Sequence, residues 1–347
     1  MTGLNIDLTV LMQGNPLTAI YKNLANSLTR SAVTIKDDSN QNQRFAGSAS
    51  VALQEYKNST TAFIADGAKI NQNNEAKAGG RIIDVNALTD SINANMAGIF
   101  DLPFVLGSET EGIGIGATVQ ITDYSNTTGA FIGNSVVMDT EALRVSALND
   151  VTNIEVTGGL GSTGGGSASA MVGYLDIDNT TVSQISGGAQ VNVTDKANNL
   201  GTYKDYDGKD IDYSKLSLSA KDMSIFVNSA VDASKSSGGA DIAASSVITL
   251  ADRATQALWG DLNQDLLSST ALGHLDTMLT YDGKKLMDLT ASGNASGFLN
   301  TAKDMDITAD ARGVNVSVAV SVGVQTNKAP EPAGEADEKD VNVNTGD

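Results

Sequence analysis

The chain has 347 residues, no cysteine and a formal net charge of −19, from 41 acidic and 22 basic side chains. It has no disulfide and no thiolate metal site, and its negative field opposes binding to nucleic-acid backbones or anionic membranes. Charged residues make up 18%, aromatics 5%, and glycine occurs 35 times. That suits thin strands with many corners and fits a two-layer enzyme, which needs larger hydrophobes, poorly.

No signal peptide follows Met1, and no apolar run approaches the length of a membrane span. The opening Thr2-Gly3-Leu4 reads as an arbitrary start, so the chain is expected to be a fragment of a parent that carries the export signal. Residues 1–32 alternate at Leu4, Ile6, Leu8 and Val10, then show helical spacing at Leu17, Ile20, Tyr21, Leu24 and Leu28. They are expected to form a partly helical cap or excursion. Val33 and Ile35 resume the strand pattern.

A repeated phrase then organises the chain. Its copies begin at Asn58-Ser59-Thr60-Thr61-Ala62-Phe63-Ile64, Asn126-Thr127-Thr128-Gly129-Ala130-Phe131-Ile132 and Asn179-Thr180-Thr181-Val182-Ser183-Gln184-Ile185. Each copy turns a corner at Asp66-Gly67, Asn134-Ser135 or Gly187-Gly188, residue types that tolerate left-handed backbone. A second short strand follows, with Ala68 and Ile70, Val136 and Met138, or Ala189 and Val191 on one face. The column Phe63, Phe131, Gln184 and Leu258 accepts glutamine, so it is placed outward, beneath a loop.

A second recurring strand follows each corner. Its forms are Ile83-Asp84-Val85-Asn86-Ala87, Leu143-Arg144-Val145-Ser146-Ala147, Leu216-Ser217-Leu218-Ser219-Ala220 and Met305-Asp306-Ile307-Thr308-Ala309, apolar at odd positions. Further strands are expected at Ile154–Val156 and Ile225–Val227, and glycine-rich links at 158–166 and 238–239. Repetition of this kind is how a solenoid extends its core. The fold expected is all-β, a right-handed parallel β-helix over residues 33–251 that continues over 304–328.

Three excursions interrupt the pattern. Residues 88–108 carry Ile92, Met96, Ile99 and Phe100. Residues 194–215 are polar, with Tyr203, Tyr206 and Tyr213 among aspartates. Residues 252–303 are expected to be a mainly helical insertion, through Ala257, Leu258, Leu262, Leu266, Leu267, Leu272, Leu275, Met278 and Leu279, with a second helical piece over 284–289. Val314 to Val324 then make the longest clean alternation in the chain. Residues 329–347 are acidic and are expected to be a disordered tail.

Candidate chemistry is sparse. Asp205, Asp207, Asp210 and Asp212 surround Gly208, and alternate aspartates about a turn glycine converge oxygen ligands on calcium; a plain acidic loop is the alternative. No other cofactor is expected. His274 lacks a second His or a Cys, and no nucleophile elbow or phosphate-binding glycine loop is present. Asp84, Arg144 and Asp306 occupy outward strand positions, but in different units. A carbohydrate-cleaving site would need such groups in one groove, and the chain is read as not an enzyme. Trp259 packs within the insertion or, with Tyr281 or Phe298, offers a contact surface.

The Asn-Thr-Thr-x-Ala-x-Ile phrase, the Gly-Gly corner and the Val-x-Val-x-Ala strands resemble the haemagglutinin-like, leukotoxin-type filamentous adhesins of Gram-negative bacteria, with autotransporter passengers as neighbours. The resemblance covers roughly residues 33–327 and breaks at Ala254–Trp259. It implies a secreted or cell-surface stalk, associated with the outer membrane through parts of the parent outside this chain. Expected partners are a host surface or matrix protein, a glycan, or another bacterium, met by a monomer through loops. Nucleic acid and membrane insertion are not expected. Contact candidates are Trp259, His274, Tyr281, Tyr203, Tyr206 and Tyr213. The alternatives are a polysaccharide-cleaving enzyme on the same coil, a structural spacer, or a trimeric particle fibre.

Overall fold

The computed structural model of the chain describes residues 33–35, 45–72, 81–100, 113–194, 202–204, 208, 210–212, 216–289, 297–301 and 304–326. The expectations for residues 1–32 and 329–347 lie outside them. The described chain is all-β, built of parallel sheets, with one α-helix.

The strands come in three-part units that repeat along the chain. The first unit is β2 (Phe45–Ile64), β3 (Lys69–Ile70) and β4 (Ile82–Phe100), preceded by a short β1 (Val33–Ile35) that pairs antiparallel with β2. The second is β5 (Ile113–Ile132), β6 (Val137–Thr140) and β7 (Ala142–Thr163). The third is β8 (Ser167–Ile185) and β9 (Gln190–Val193), a β10–β11 hairpin (Thr202–Lys204, Asp210–Asp212), then β12 (Leu216–Asp222) and β13 (Ile225–Ser236). The fourth opens with β14 (Asp241–Trp259). It then makes an excursion with α1 (Ser269–Met278) and a β15–β16 hairpin (Thr280–Tyr281, Lys284–Lys285), and closes with β17 (Phe298–Thr301), β18 (Met305–Ala311) and β19 (Val314–Gln325).

Corresponding strands of successive units pair in parallel and form three sheets. The first runs β2-β5-β8-β14, the second β3-β6-β9-β17, and the third β4-β7, then β12 with β13, then β18 with β19. The register matches the repeated phrases residue for residue. Asn58 pairs with Asn126 and Asn126 with Asn179, while Ile83, Leu143, Leu216 and Met305 form one column. The corners turn at Gly67 and Ser135, both at positive φ (72° and 55°). The third corner, Gly187-Gly188, turns without a positive φ, so its glycines are not there for left-handed backbone.

Where the three sheets meet, the interior is hydrocarbon. Ile132, Val136, Met138, Val145, Ile185, Val191, Leu216 and Leu218 are buried together, with Ile64 and Ile70 packed against them. Further along, the first and third sheets face each other across a different interior. Tyr124, Leu175, Ile177, Phe226 and Val151 form a small apolar cluster, and beyond it buried amides, hydroxyls and carboxyls take over. Glu155 is 1% exposed and accepts from Asn95 Nδ2 (2.7 Å), Asn153 Nδ2 (2.9 Å), Thr122 Oγ1 (3.0 Å) and Gln120. Burial raises its carboxyl above the ordinary range, against those four donors. Asn126 donates to Asn179 (3.3 Å) and Asn149, and Asn149 donates to buried Asp222 (3.2 Å). At the last strand Arg253 replaces asparagine in that column, lies over the Phe226 ring at 5.6 Å and donates to Asn315 (2.6 Å).

Several segments depart from the sequence expectation. Residues 88–100 belong to β4, and Gly158, Gly159 and Gly161 extend β7, because both stretches find a parallel partner; only Gly164–Gly166 remain as the link to β8. β14 runs through Trp259, so the excursion begins at residue 260 and not at 252. Ala254–Trp259 keep the register of Thr180–Ile185. Among its described residues the excursion holds a single α-helix. Lys284-Lys285 is a strand and not a helix start, because Asp282 and Gly283 (φ 51° and 70°) make a tight hairpin turn. The valines of β19 face outward. Their neighbours Ser317 and Ser321 point the other way, toward β14, where they contact Thr249 (2.8 Å) and Ser245 (2.7 Å), and both faces of this last strand stay exposed.

Candidate functional site

The excursion of the fourth unit stands where the other units have the short corners 65–68, 133–136 and 186–189. It folds back across the outer face of the first sheet, which gives that face its relief. The outward column Phe63, Phe131 and Leu258 packs with Val182 against Leu262, Leu267, Leu275, Leu279 and Met287. Gln184 of the same column donates to the Gly260 carbonyl (2.7 Å), so a polar residue is accommodated beneath the excursion. A Cβ at Gly129 would run into the Phe131 ring, which explains glycine at that point of the repeated phrase.

Ser268 begins α1. Its Oγ accepts from the Ala271 N–H (3.0 Å) and donates to Asp178 Oδ2 (2.5 Å), which ties the helix N-terminus to β8. His274 lies one turn further on, with Nδ1 3.2 Å from Thr127 Oγ1.

Beside this helix end lies a cleft of about 340 Å³, lined by Lys57, Asp123, Ser125, Asp176, Asp178, Asp252 and Thr270. Strand register builds it. Asp123 is paired with Asp176, Asp178 with Asp252, and Asp176 and Asp178 share one face of β8. Like charges directly opposite each other in a sheet repel. Burial raises the Asp178 carboxyl, with Asp252 and Asp176 adding to the effect and the Ser268 hydroxyl and His274 opposing it. Lys57 is held by Glu55 at 2.5 Å. The cleft attracts cations and repels anions.

Among the described residues, the expected contacts do not converge on this cleft, and of them only His274 lies beside it, near Asp178. Trp259 continues the inward column of Ile64, Ile132 and Ile185 on the last strand, which leaves it 43% exposed at the end of the stack. Tyr281 is exposed in the β15–β16 hairpin. Tyr203 lies in β10; Tyr206 and Tyr213 lie outside the described residues, as do Asp205 and Asp207 of the calcium reading. Asp210 pairs with Lys204 (2.9 Å) and Asp212 ends β11. No group of three or more ligating side chains among the described residues is arranged to hold a metal ion. Asp84 and Arg144 form an ion pair through two bonds, while Asp306 lies two strands from Arg144, with Ser217 between them.

The aspartates of the cleft were within reach of the sequence. Counting back from the aligned Asn126 and Asn179 places Asp123 beside Asp176. No described helix is long and apolar enough to cross a membrane. Compared with family models, characterised proteins and solved structures, the chain matches none.

Proposed function

We propose that the chain is a segment of a secreted or surface-exposed bacterial adhesin, a right-handed parallel β-helical stalk that presents an insertion and loops to a host or bacterial ligand. The observation that carries this reading is the in-register pairing of strand after strand from unit to unit in all three sheets, with one unit's corner expanded into a packed excursion. Right-handedness follows from the rule for crossovers between parallel strands. A stack of this kind extends by addition and holds whatever its corners carry at fixed spacing. The likeness to filamentous adhesins in the repeated phrases supports the same reading.

The test is a binding screen over glycans, matrix proteins and bacterial surfaces, with and without calcium. It compares the chain with a variant whose residues 260–297 are replaced by the corner Gly133-Asn134-Ser135-Val136. Binding by the parent chain and its loss in the variant, with the strand-type circular dichroism retained, is the expected result. No binding in any arm would leave a spacer and sink the adhesin reading.

A carbohydrate-cleaving site is the second reading, favoured by one observation: four aspartates line one cleft with Lys57. Asp178, with its raised carboxyl, would be the proton donor there. Turnover of acidic, neutral or amino-sugar polysaccharides that disappears in Asp178→Asn would decide for it.

A further inference from the structure

The third sheet presents two different halves on its outer face. Toward the strand starts the outward positions are mostly polar or charged, including Asp84, Arg144, Ser146, Ser217 and Ser219, with Ile82 and Leu88 among them on the first strand. Past Asp90 and Asp150 the pattern inverts. Parallel register places Ile92, Ala94 and Met96 beside Thr152, Ile154 and Val156, then Ile225, Val227 and Ser229, then Val314, Val316 and Val318. Val231 and Ala233 continue the field beside Val320 and Val322. The facing residues of the same strands, among them Asn153, Glu155, Asn228 and Asp232, are buried. Hydrocarbon is therefore outside and amides inside, the reverse of an ordinary solvated sheet.

This field is large. Ile92 is 65% exposed, and Ile154, Ile225, Val231 and the alternate valines of β19 lie between 38% and 48%. Together they leave on the order of 700 Å² of contiguous apolar surface, above what a monomer ordinarily shows. That is close to the ~800 Å² per partner of a standard interface. The outward rows carry no charge between Asp90 and Asp150 at one end and Lys235 at the other.

We infer that this face is a self-association surface, on which a second copy of the chain packs sheet against sheet. Three features select a second copy. The area matches what a stable dimer needs. A chain of net charge −19 can meet itself only where acids are absent, and the field is free of them. Finally, a two-fold arrangement with strands running in opposite directions sets the charged end of one copy, where Arg312 shares the register row of Asp90 and Asp150, over the Lys235 end of the other, so that charges meet at the rim and not within the field. Small branched side chains suit face-to-face packing of sheets at about 10 Å. This departs from the monomer expected from sequence, where alternation alone did not tell which face of these strands looks outward.

The test is sedimentation equilibrium of the full chain, beside Val231→Lys, Val316→Lys and the double variant, with Ser219→Lys on the polar half as control. Circular dichroism and thermal unfolding establish that each variant is folded; both valines are already partly exposed, so the lysines are solvated in the monomer. The expected result is a dimer for the parent chain and for Ser219→Lys, with dissociation raised about a hundredfold or more in the double variant, since like charges are placed across the interface. A parent chain that stays monomeric at about 100 μM, a concentration that fills even a weak dimer, would overturn the inference. A dimer untouched by the double variant would overturn it as well, since the association would then use another surface. A chain lacking residues 1–32 separates the remaining possibility: if only that deletion produces a dimer, the face is covered by the chain's own N-terminal segment and the inference fails.

Discussion

Glu155→Leu is expected to lower the stability of the chain by about 3–5 kcal/mol, the cost of leaving several buried donors without an acceptor. Asn95, Asn153, Gln120 and Thr122 all donate to this carboxyl; Thr122 has a second acceptor in Gln54 Oε1 at 3.1 Å and Asn95 a longer one in Asn153 Oδ1 at 3.4 Å. The site is fully enclosed, so water cannot take the place of the lost oxygens without opening the interface between the first and third sheets. Glu155→Gln should behave differently. Burial raises the folded-state pKa of Glu155 above its unfolded value, so the fold favours the protonated carboxyl. Its stabilising contribution is full below the unfolded glutamate pKa of about 4.3 and is lost as pH rises through the folded pKa. The parent chain should therefore lose stability relative to Glu155→Gln across that window. Urea midpoints measured for both from pH 4 to 8 check this; parallel curves would show that the carboxyl does not titrate against the fold.

Phe131→Ala should cost about 3–5 kcal/mol, the range for truncating a buried aromatic, but its effect should appear first in the excursion. Phe131 is fully buried between β5 and the side chains of Leu275, Leu279 and Met287. Its loss removes the floor on which α1 rests, while the inward column of Ala130 and Ile132 keeps its contacts. Amide exchange over residues 269–279 should accelerate well beyond that of β5 and β8, since weakly held elements open on their own. Unchanged protection of α1 would show that the helix is held by Ser268 and Asp178 rather than by this packing.

The repeated phrases carried the register. Aligning Asn126 with Asn179 and Leu143 with Leu216 predicts the pairings found, because one buried column per strand fixes the pleat. The outward assignment of Phe63, Phe131, Gln184 and Leu258 was likewise legible, since a glutamine in the column argued against the inner core. The excursion was less so. Ala257 and Leu258 fit a helical spacing, yet they continue a strand because Ser183 and Gln184 offer an in-register partner, and pairing outweighs local propensity. Asp282-Gly283 is itself a hairpin-turn signal, and it outweighs the helical periodicity around it. Alternation in 152–157, 225–232 and 314–324 gave two faces but not which one lay inside. That is decided by the opposing sheet, and here it buries the polar face. The candidate cleft needed both kinds of information: register to bring the aspartates together, and the packed helix to wall them in.

The inverted faces also bear on how the molecule responds to temperature. Much of the surface hidden between the first and third sheets belongs to amide, hydroxyl and carboxyl groups such as Gln120, Asn153, Asn228 and Asp232. Hydrating polar surface lowers the heat-capacity change of unfolding, whereas hydrating hydrocarbon raises it; ordinary domains reach about 12–15 cal/mol/K per residue. This chain should fall below that range in calorimetry, and a value at or above it would mean that hydrocarbon dominates the buried area after all. A small heat-capacity change flattens the stability curve. The chain would then keep nearly constant stability from cold water to body heat.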